Sequence, residues 1–259
     1  MPIASLPHAD IHYELYGPPD GVPLLLLAPG GLRSHIGLWR HTHEGLPRPW
    51  PDPTVEFARD YRVIAVDQRN AGRSRAVVGP DDGWHSYAAD HLGVLDHLGV
   101  QRFHVIGACI GTSFALKLAE VAPERVLSAV LQAPIGHTAQ NAAVRGDSFE
   151  SWASGLRQRA PETPEANLQA LQRNLYGGND FVFSVSRDSV RQTATPLLVL
   201  AGNDLQHPTE IAEEIVQLAP NATLVREWKG PAQRATYIEG ILGFLRAPPV
   251  PAPAELLVV

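Results

Sequence analysis

The chain has 259 residues, 44% of them apolar and 19% charged, which suits one α/β or all-β domain with a large core and excludes a solenoid array or general disorder. The formal charge of -6 and the absence of a basic run exclude an electrostatic footprint for nucleic acid or an anionic membrane. No apolar run approaches the roughly 18 residues of a membrane span. The first seventeen residues mix His8, Asp10, His12 and Glu14 among apolar ones, unlike a signal peptide or lipidation motif, so the expected location is cytoplasmic. The single cysteine, Cys109, cannot form an internal disulfide.

In chain order, Ile11 to Tyr16 alternates like a half-exposed strand, and Pro23 to Ala28 reads as a buried strand ending at Pro29-Gly30-Gly31. A long loop over residues 32 to 52 precedes a short helix, Thr54 to Asp60, with Pro53 suited to its first turn. The spacing predicts a strand over Tyr61 to Asp67, a helix over Trp84 to Leu98, a buried strand over Phe103 to Ala108 and a helix over Ile110 to Ala122. Val126 to Gln132 is the next strand and Pro196 to Ala201 the one after it. About 60 residues separate them, too many for a plain connection. That stretch carries Trp152, Leu168, Leu171, Leu175, Tyr176, Phe181 and Phe183 in helix-like patches and reads as a small helical lid. A helix over Pro208 to Leu218, a strand over Thr223 to Trp228 and a helix over Ala232 to Leu245 complete the order. Strand and helix alternate throughout, which predicts an α/β fold with a mostly parallel central sheet flanked by helices. The expected organisation is a core of residues 1–136 and 193–247, a lid of residues 137–192 and a Pro-rich, extended tail of residues 248–259.

The sharpest chemical signal is Gly107-Ala108-Cys109-Ile110-Gly111, set between a predicted strand and a predicted helix. A sharp strand-to-helix turn strains its central residue, and a Cβ on either flanking glycine would collide with a neighbouring element. The Cys109 side chain would then stand above the sheet at a helix N-terminus, where amides and the macrodipole lower a thiol pKa from about 8.5. That makes it a candidate nucleophile; the alternative is a small core residue that happens to lie between glycines.

Here the chain resembles the α/β-hydrolase superfamily, with cysteine in place of the usual serine of Gly-x-Ser-x-Gly, as in dienelactone hydrolases. Asp67-Gln68-Arg69-Asn70-Ala71-Gly72-Arg73-Ser74 is similar to the structural Asp-x-Arg-Gly-x-Gly-x-Ser turn of that superfamily, with Asn70 in place of a glycine. Asn is tolerated there because it visits the left-handed region more readily than most residues. Ala28-Pro29-Gly30-Gly31 occupies the oxyanion-hole position, so the amides of Gly31 and Ile110 are the expected oxyanion donors. Asp204, after the strand Pro196 to Ala201, resembles the orienting carboxylate of a triad; the same residue also suits a turn bonding to nearby amides.

The resemblance stops at the last triad member. Relatives usually carry Gly-His between the final strand and helix, but here Trp228 runs through Lys229-Gly230 to Pro231, and no histidine lies beyond His207. A base must come from elsewhere. His207 ranks first because it lies three residues from Asp204; His137 follows the strand beside the cysteine's own, and His35 lies in the oxyanion-side loop. Lys229 is a further candidate, since desolvation can lower a lysine's pKa. Gly30, His35, Trp152 and Tyr176 are the expected substrate contacts. His41 and His43 with Glu44 lack the additional spaced ligand of a metal site, so no metal and no cofactor are expected, and no phosphate-cradling loop is present.

The function expected from this pattern is attack by Cys109 on an ester, lactone or thioester of a mainly apolar small molecule, ending in hydrolysis, acyl transfer or cyclisation. Two alternatives stay open: a non-covalent lyase, isomerase or cyclase in the same cavity, and a ligand-binding member that has lost turnover.

Overall fold

The computed structural model describes residues 2–138, 141, 144–178 and 181–247. The expected Pro-rich tail of residues 248–259 lies outside them. Its elements are β1 (Ile3–Leu6), β2 (Ala9–Tyr16), β3 (Val22–Leu27), α1 (Pro53–Glu56), β4 (Tyr61–Val66), β5 (Arg75–Ala76), α2 (Trp84–His97), β6 (Phe103–Ala108), α3 (Ile110–Val121), β7 (Val126–Gln132), α4 (Val144–Arg159), α5 (Glu165–Tyr176), α6 (Arg187–Gln192), β8 (Leu197–Leu200), α7 (Thr209–Leu218), β9 (Ala222–Val225) and α8 (Arg234–Arg246).

One sheet runs in the order β1-β2-β4-β3-β6-β7-β8-β9, with β5 pairing β2 at the side. From β4 through β9 every pairing is parallel, whereas β1, β2 and β5 pair antiparallel. The sheet is therefore mixed. β1 and β5 are absent from the sequence expectation because four and two residues are too short to show a period. The last strand also differs: it ends at Val225, and Trp228 is a buried packing residue of the following loop.

Alternate side chains of the central strands face two cores. Leu25, Leu27, Val105, Leu131 and Val199 pack with Phe114 of α3 and Ile215 of α7. Leu24, Leu26, Ile106, Val130 and Leu198 pack on the other face with Phe57, Trp228 and Tyr237 of α8. These strands read as continuous apolar runs because both faces are covered, which is the condition for a parallel sheet.

Three local devices position the site. At α1, Pro53 takes the first helical position and the Asp52 carboxylate accepts the Thr54 amide at 2.9 Å, anchoring the end of the long 32–52 loop. In the turn after β4, Asp67 accepts the Ile36 amide and the Arg73 amide, each at 2.8 Å, tying that loop to the sheet. Asn70 adopts φ +57°, as its place in the glycine position requires, and its side-chain oxygen accepts the Ala76 amide at 2.9 Å. Finally, α4, α5 and α6 fill the interval between β7 and β8, with α4 packed on the turn Gly31–Arg33. Among the described residues no helix is long and apolar enough to cross a membrane.

Candidate active site

Cys109 has φ +55° and ψ -118°, at the junction of β6 and α3. An L-residue enters this region only when the surroundings force it, and the flanking glycines show how they do. A Cβ on Gly107 would lie 2.1 Å from the Gly111 carbonyl oxygen, and one on Gly111 would lie 2.1 Å from the Leu27 carbonyl oxygen of β3. Both contacts are with backbone, so neither can be relieved by a rotamer change. Helix and strand close on each other through these two positions, and the Cys109 side chain is left over the carboxyl ends of the strands. The Cys109 amide donates to the Gln132 carbonyl of β7 at 2.9 Å, and the Thr112 hydroxyl donates to the Cys109 carbonyl at 2.7 Å. The residue is half-buried, in the wall of a cavity of about 510 Å³.

The loop after β8 brings the acid and the imidazole to this cavity. Asp204 Oδ1 accepts the amides of Gln206 and His207 at 3.0 and 2.9 Å, which closes a tight turn. The same carboxylate lies 2.8 and 3.0 Å from His207 Nδ1 through its two oxygens. Asp204 thus bonds both the amides of the turn and the imidazole ring. Gly202 permits the fold-back, since a Cβ there would sit 2.2 Å from the His207 carbonyl oxygen. With Nδ1 held by the carboxylate, His207 Nε2 is the nitrogen left to bond the Cys109 sulfur.

The charges reinforce one another. Burial alone would raise the Cys109 thiol, but the His207 charge and hydrogen bond, with N–H donation from Gly30 and Ile110, outweigh it and lower the pKa. Burial likewise opposes a charged His207, yet the sulfur and the Asp204 carboxylate raise its pKa to about 10. The hydrogen bond from His207 is the main reason that Asp204 is held well below the usual carboxylate range. Both shifts favour a thiolate beside an imidazolium.

The amides that meet the sulfur belong to Gly30 and Ile110. Sequence reasoning placed the first of these at Gly31. The difference arises because Gly30 and Gly31 are both left-handed, at φ +120° and +61°, and the peptide joining them is held through the Gly30 carbonyl by His43 Nε2 at 3.2 Å. Gly31 lines the cavity instead, as do Gly30 and Tyr176.

The other expected residues lie elsewhere. His137 packs its ring on Phe183 at 4.3 Å, and its amide donates to the Phe181 carbonyl at 2.6 Å; it is outside the cavity lining. His35 sits behind the oxyanion-side loop, where a Cβ on Gly72 would meet it at 2.9 Å. Trp152 is 2% exposed and packs on Phe149 at 5.5 Å, a core residue of the helical segment. Lys229 reaches the cavity, but its ammonium donates to Asn203 Oδ1 at 3.1 Å.

Several lining residues were not among the expected substrate contacts. Phe183 and Ala133 line the cavity with left-handed backbones, at φ +68° and +49°, which no side-chain pattern signals. Arg48 and Trp50 come from the long loop, where a cation among prolines looks like an ordinary solvated charge.

Residues 23–196 match the family described as alpha/beta hydrolase fold. A protein of Azorhizobium caulinodans named "Putative carbamate hydrolase RutD" is 34% identical over 178 residues, a match covering 68% of this chain and 58% of that relative. The rhodomycin D methylesterase DnrP of Streptomyces peucetius is 37% identical over 122 residues, 44% of this chain and 36% of that one. Among solved structures, the esterase RhEst1 from a Rhodococcus species superposes with a TM-score of 0.65 at 23% identity, covering 95% of this chain and 98% of that one. With the strand order, the turn at Cys109 and the sequence match in agreement, the chain belongs to the α/β-hydrolase fold family.

Proposed function

We propose that the protein is a hydrolase of ester-type bonds that works through a Cys109 acyl-enzyme. The observation that carries this reading is the Cys109, His207 and Asp204 chain of contacts, in which two of the three groups come from one turn. Relatives named as a carbamate hydrolase, a methylesterase and an esterase support the reaction class.

In this scheme the Cys109 thiolate attacks the substrate carbonyl carbon, a C–S bond forms, and the carbonyl oxygen takes the negative charge. The amides of Gly30 and Ile110 face that oxygen and stabilise it. When the intermediate collapses, the C–O bond breaks and the proton on His207 Nε2 passes to the leaving alkoxide. Neutral His207 then takes a proton from water, water attacks the thioester carbonyl, and the C–S bond breaks to restore the thiolate and imidazolium. Asp204 fixes the ring orientation and supports its charge throughout. His207 therefore replaces the missing Gly-His of the last loop, from a position three residues beyond the acid. The helices α4, α5 and α6 act as the lid, with Tyr176 and Phe183 lining the cavity to favour a substrate with an apolar portion.

The test is turnover of 4-nitrophenyl acetate by the wild-type protein and by Cys109→Ala. Loss of turnover in the variant with unchanged circular dichroism supports the reading. Full turnover in Cys109→Ala overturns it in favour of non-covalent chemistry.

A further inference from the structure

Four residues of the cavity lining, Arg48, Trp50, Gln132 and Lys229, carry hydrogen-bond donors. Arg48 uses Nε on the Leu38 carbonyl at 3.0 Å and stacks its guanidinium on Trp50 at 5.2 Å. Among the described residues no carboxylate lies within ion-pair distance of Arg48 or Lys229. Trp50 packs on Trp228 at 5.6 Å, the Lys229 ammonium lies 5.2 Å from the Trp228 ring, and Trp228 stacks on Tyr237 at 5.9 Å. The Tyr237 hydroxyl in turn donates to Gln132 Oε1 at 3.0 Å. These contacts join the lining residues Arg48, Trp50, Gln132 and Lys229 to Trp228 and Tyr237, which are buried behind them. The group contains two unmatched donors, Trp50 Nε1 and Nε2 of the fully buried Gln132.

Burying donors without acceptors is costly, and burying cations without counter-charges more so. Burial does lower the pKa of both Arg48 and Lys229 below their ordinary values. The negative groups nearby act only from beyond ion-pair distance: Cys109 and Glu44 on Arg48, and Asp204, itself bonded by His207, on Lys229. A ligand that brings acceptors and negative charge would satisfy these donors at once.

We infer that these four residues form a carboxylate subsite, and that the substrate is an ester whose acyl chain ends in a free carboxylate. Arg48 and Lys229 supply the charge, and Gln132 with Trp50 supply neutral donors. The Cys109 amide bonds the Gln132 carbonyl, so Gln132 lies on the strand beside the nucleophile. A short dicarboxylic half-ester is the substrate class that can reach both the sulfur and these donors. The inference rests on the acyl-enzyme reading for its account of where the ester sits, but not for the existence of the subsite.

The test compares 4-nitrophenyl hydrogen glutarate with its methyl-capped, uncharged counterpart in wild type and Arg48→Met. Wild type should favour the free acid by about 10- to 100-fold in kcat/KM, the range of hydrogen bonds to a charged group. Arg48→Met should remove that preference, slowing the free acid at least about tenfold more than the capped ester. Equal rates for the two esters in wild type, or equal slowing of both in Arg48→Met, overturns the subsite. Glutarate itself, titrated by NMR into both proteins, separates this result from failure of the acyl-enzyme. If glutarate binds wild type at least tenfold more tightly than Arg48→Met while neither ester acylates Cys109, the subsite stands and the covalent mechanism falls. If glutarate binds both alike, or neither, the subsite falls. Should Arg48→Met fail to fold, Lys229→Met is read in the same way.

Discussion

His207→Gln removes the imidazole and leaves a side chain of similar reach in the Asp204 turn. Two effects can be worked from the geometry. Without the imidazolium, the largest influence lowering the Cys109 pKa disappears, while the burial that raises it persists. A thiol with pKa about 8.5 is only about 3% ionised at pH 7, so acylation should slow by up to about 30-fold. Deacylation loses its base as well, a loss of roughly 10² to 10⁴-fold. The second effect is the larger, so the variant should accumulate acyl-enzyme. The assay is stopped-flow release of 4-nitrophenolate: a slowed burst approaching one equivalent per protein, followed by steady turnover down by at least about 10². Steady turnover within threefold of wild type would refute the assignment of His207 as base and show that another group performs this step.

Further outcomes follow from the same geometry. Alkylation of Cys109 by iodoacetamide should fall less between pH 8.5 and 6.5 than that of an ordinary thiol, which loses roughly 50-fold in thiolate over that interval. The sign follows from the pairing: falling pH must protonate a thiolate stabilised by His207, and the imidazolium itself is lost only as pH rises through about 10. An ordinary thiol profile would contradict the ion pair. Gly111→Ala drives a Cβ to 2.1 Å from the Leu27 carbonyl oxygen and should cost about 3 kcal/mol or more in urea denaturation, whereas a loss below about 1 kcal/mol would show that β3 and α3 can separate freely. Asp204→Asn deprives the ring of its charge partner and loosens the turn, so kcat should fall by at least about 10² with KM little changed; an unchanged kcat would reduce Asp204 to a turn residue.

Much of this fold was legible because its central strands are covered on both faces. Phe103–Ala108 and Val126–Gln132 occupy the bounds expected of them, since uninterrupted apolar runs bounded by turn residues leave little choice. β1 and β5 were not legible: they are short and edge-like, and pairing with β2 defines them rather than any pattern of their own. At the site, the glycines around Cys109 and the three-residue step from Asp204 to His207 carried most of the signal, because local turn geometry decides both. The oxyanion-side loop carried less. Which of Gly30 and Gly31 turns its amide to the sulfur depends on His43, thirteen residues from Gly30, through a contact the sequence does not announce. His35 and Trp152 show the same limit from the other side, since long-range packing decides whether a ring faces the cavity or the core. Arg48 and Gln132 acquire chemical meaning only when the fold sets them beside Trp50, Trp228 and Tyr237.

The central claim is that the Cys109 sulfur forms a covalent bond with the acyl group during turnover. Intact-mass and peptide mass spectrometry on acid-quenched protein mixed with 4-nitrophenyl acetate tests it directly, with His207→Gln used to hold the intermediate. The account predicts one acetyl group per chain, mapped to Cys109 and absent from Cys109→Ala. Sustained turnover with no adduct in either protein, or an adduct at another residue whose removal abolishes activity, would contradict it.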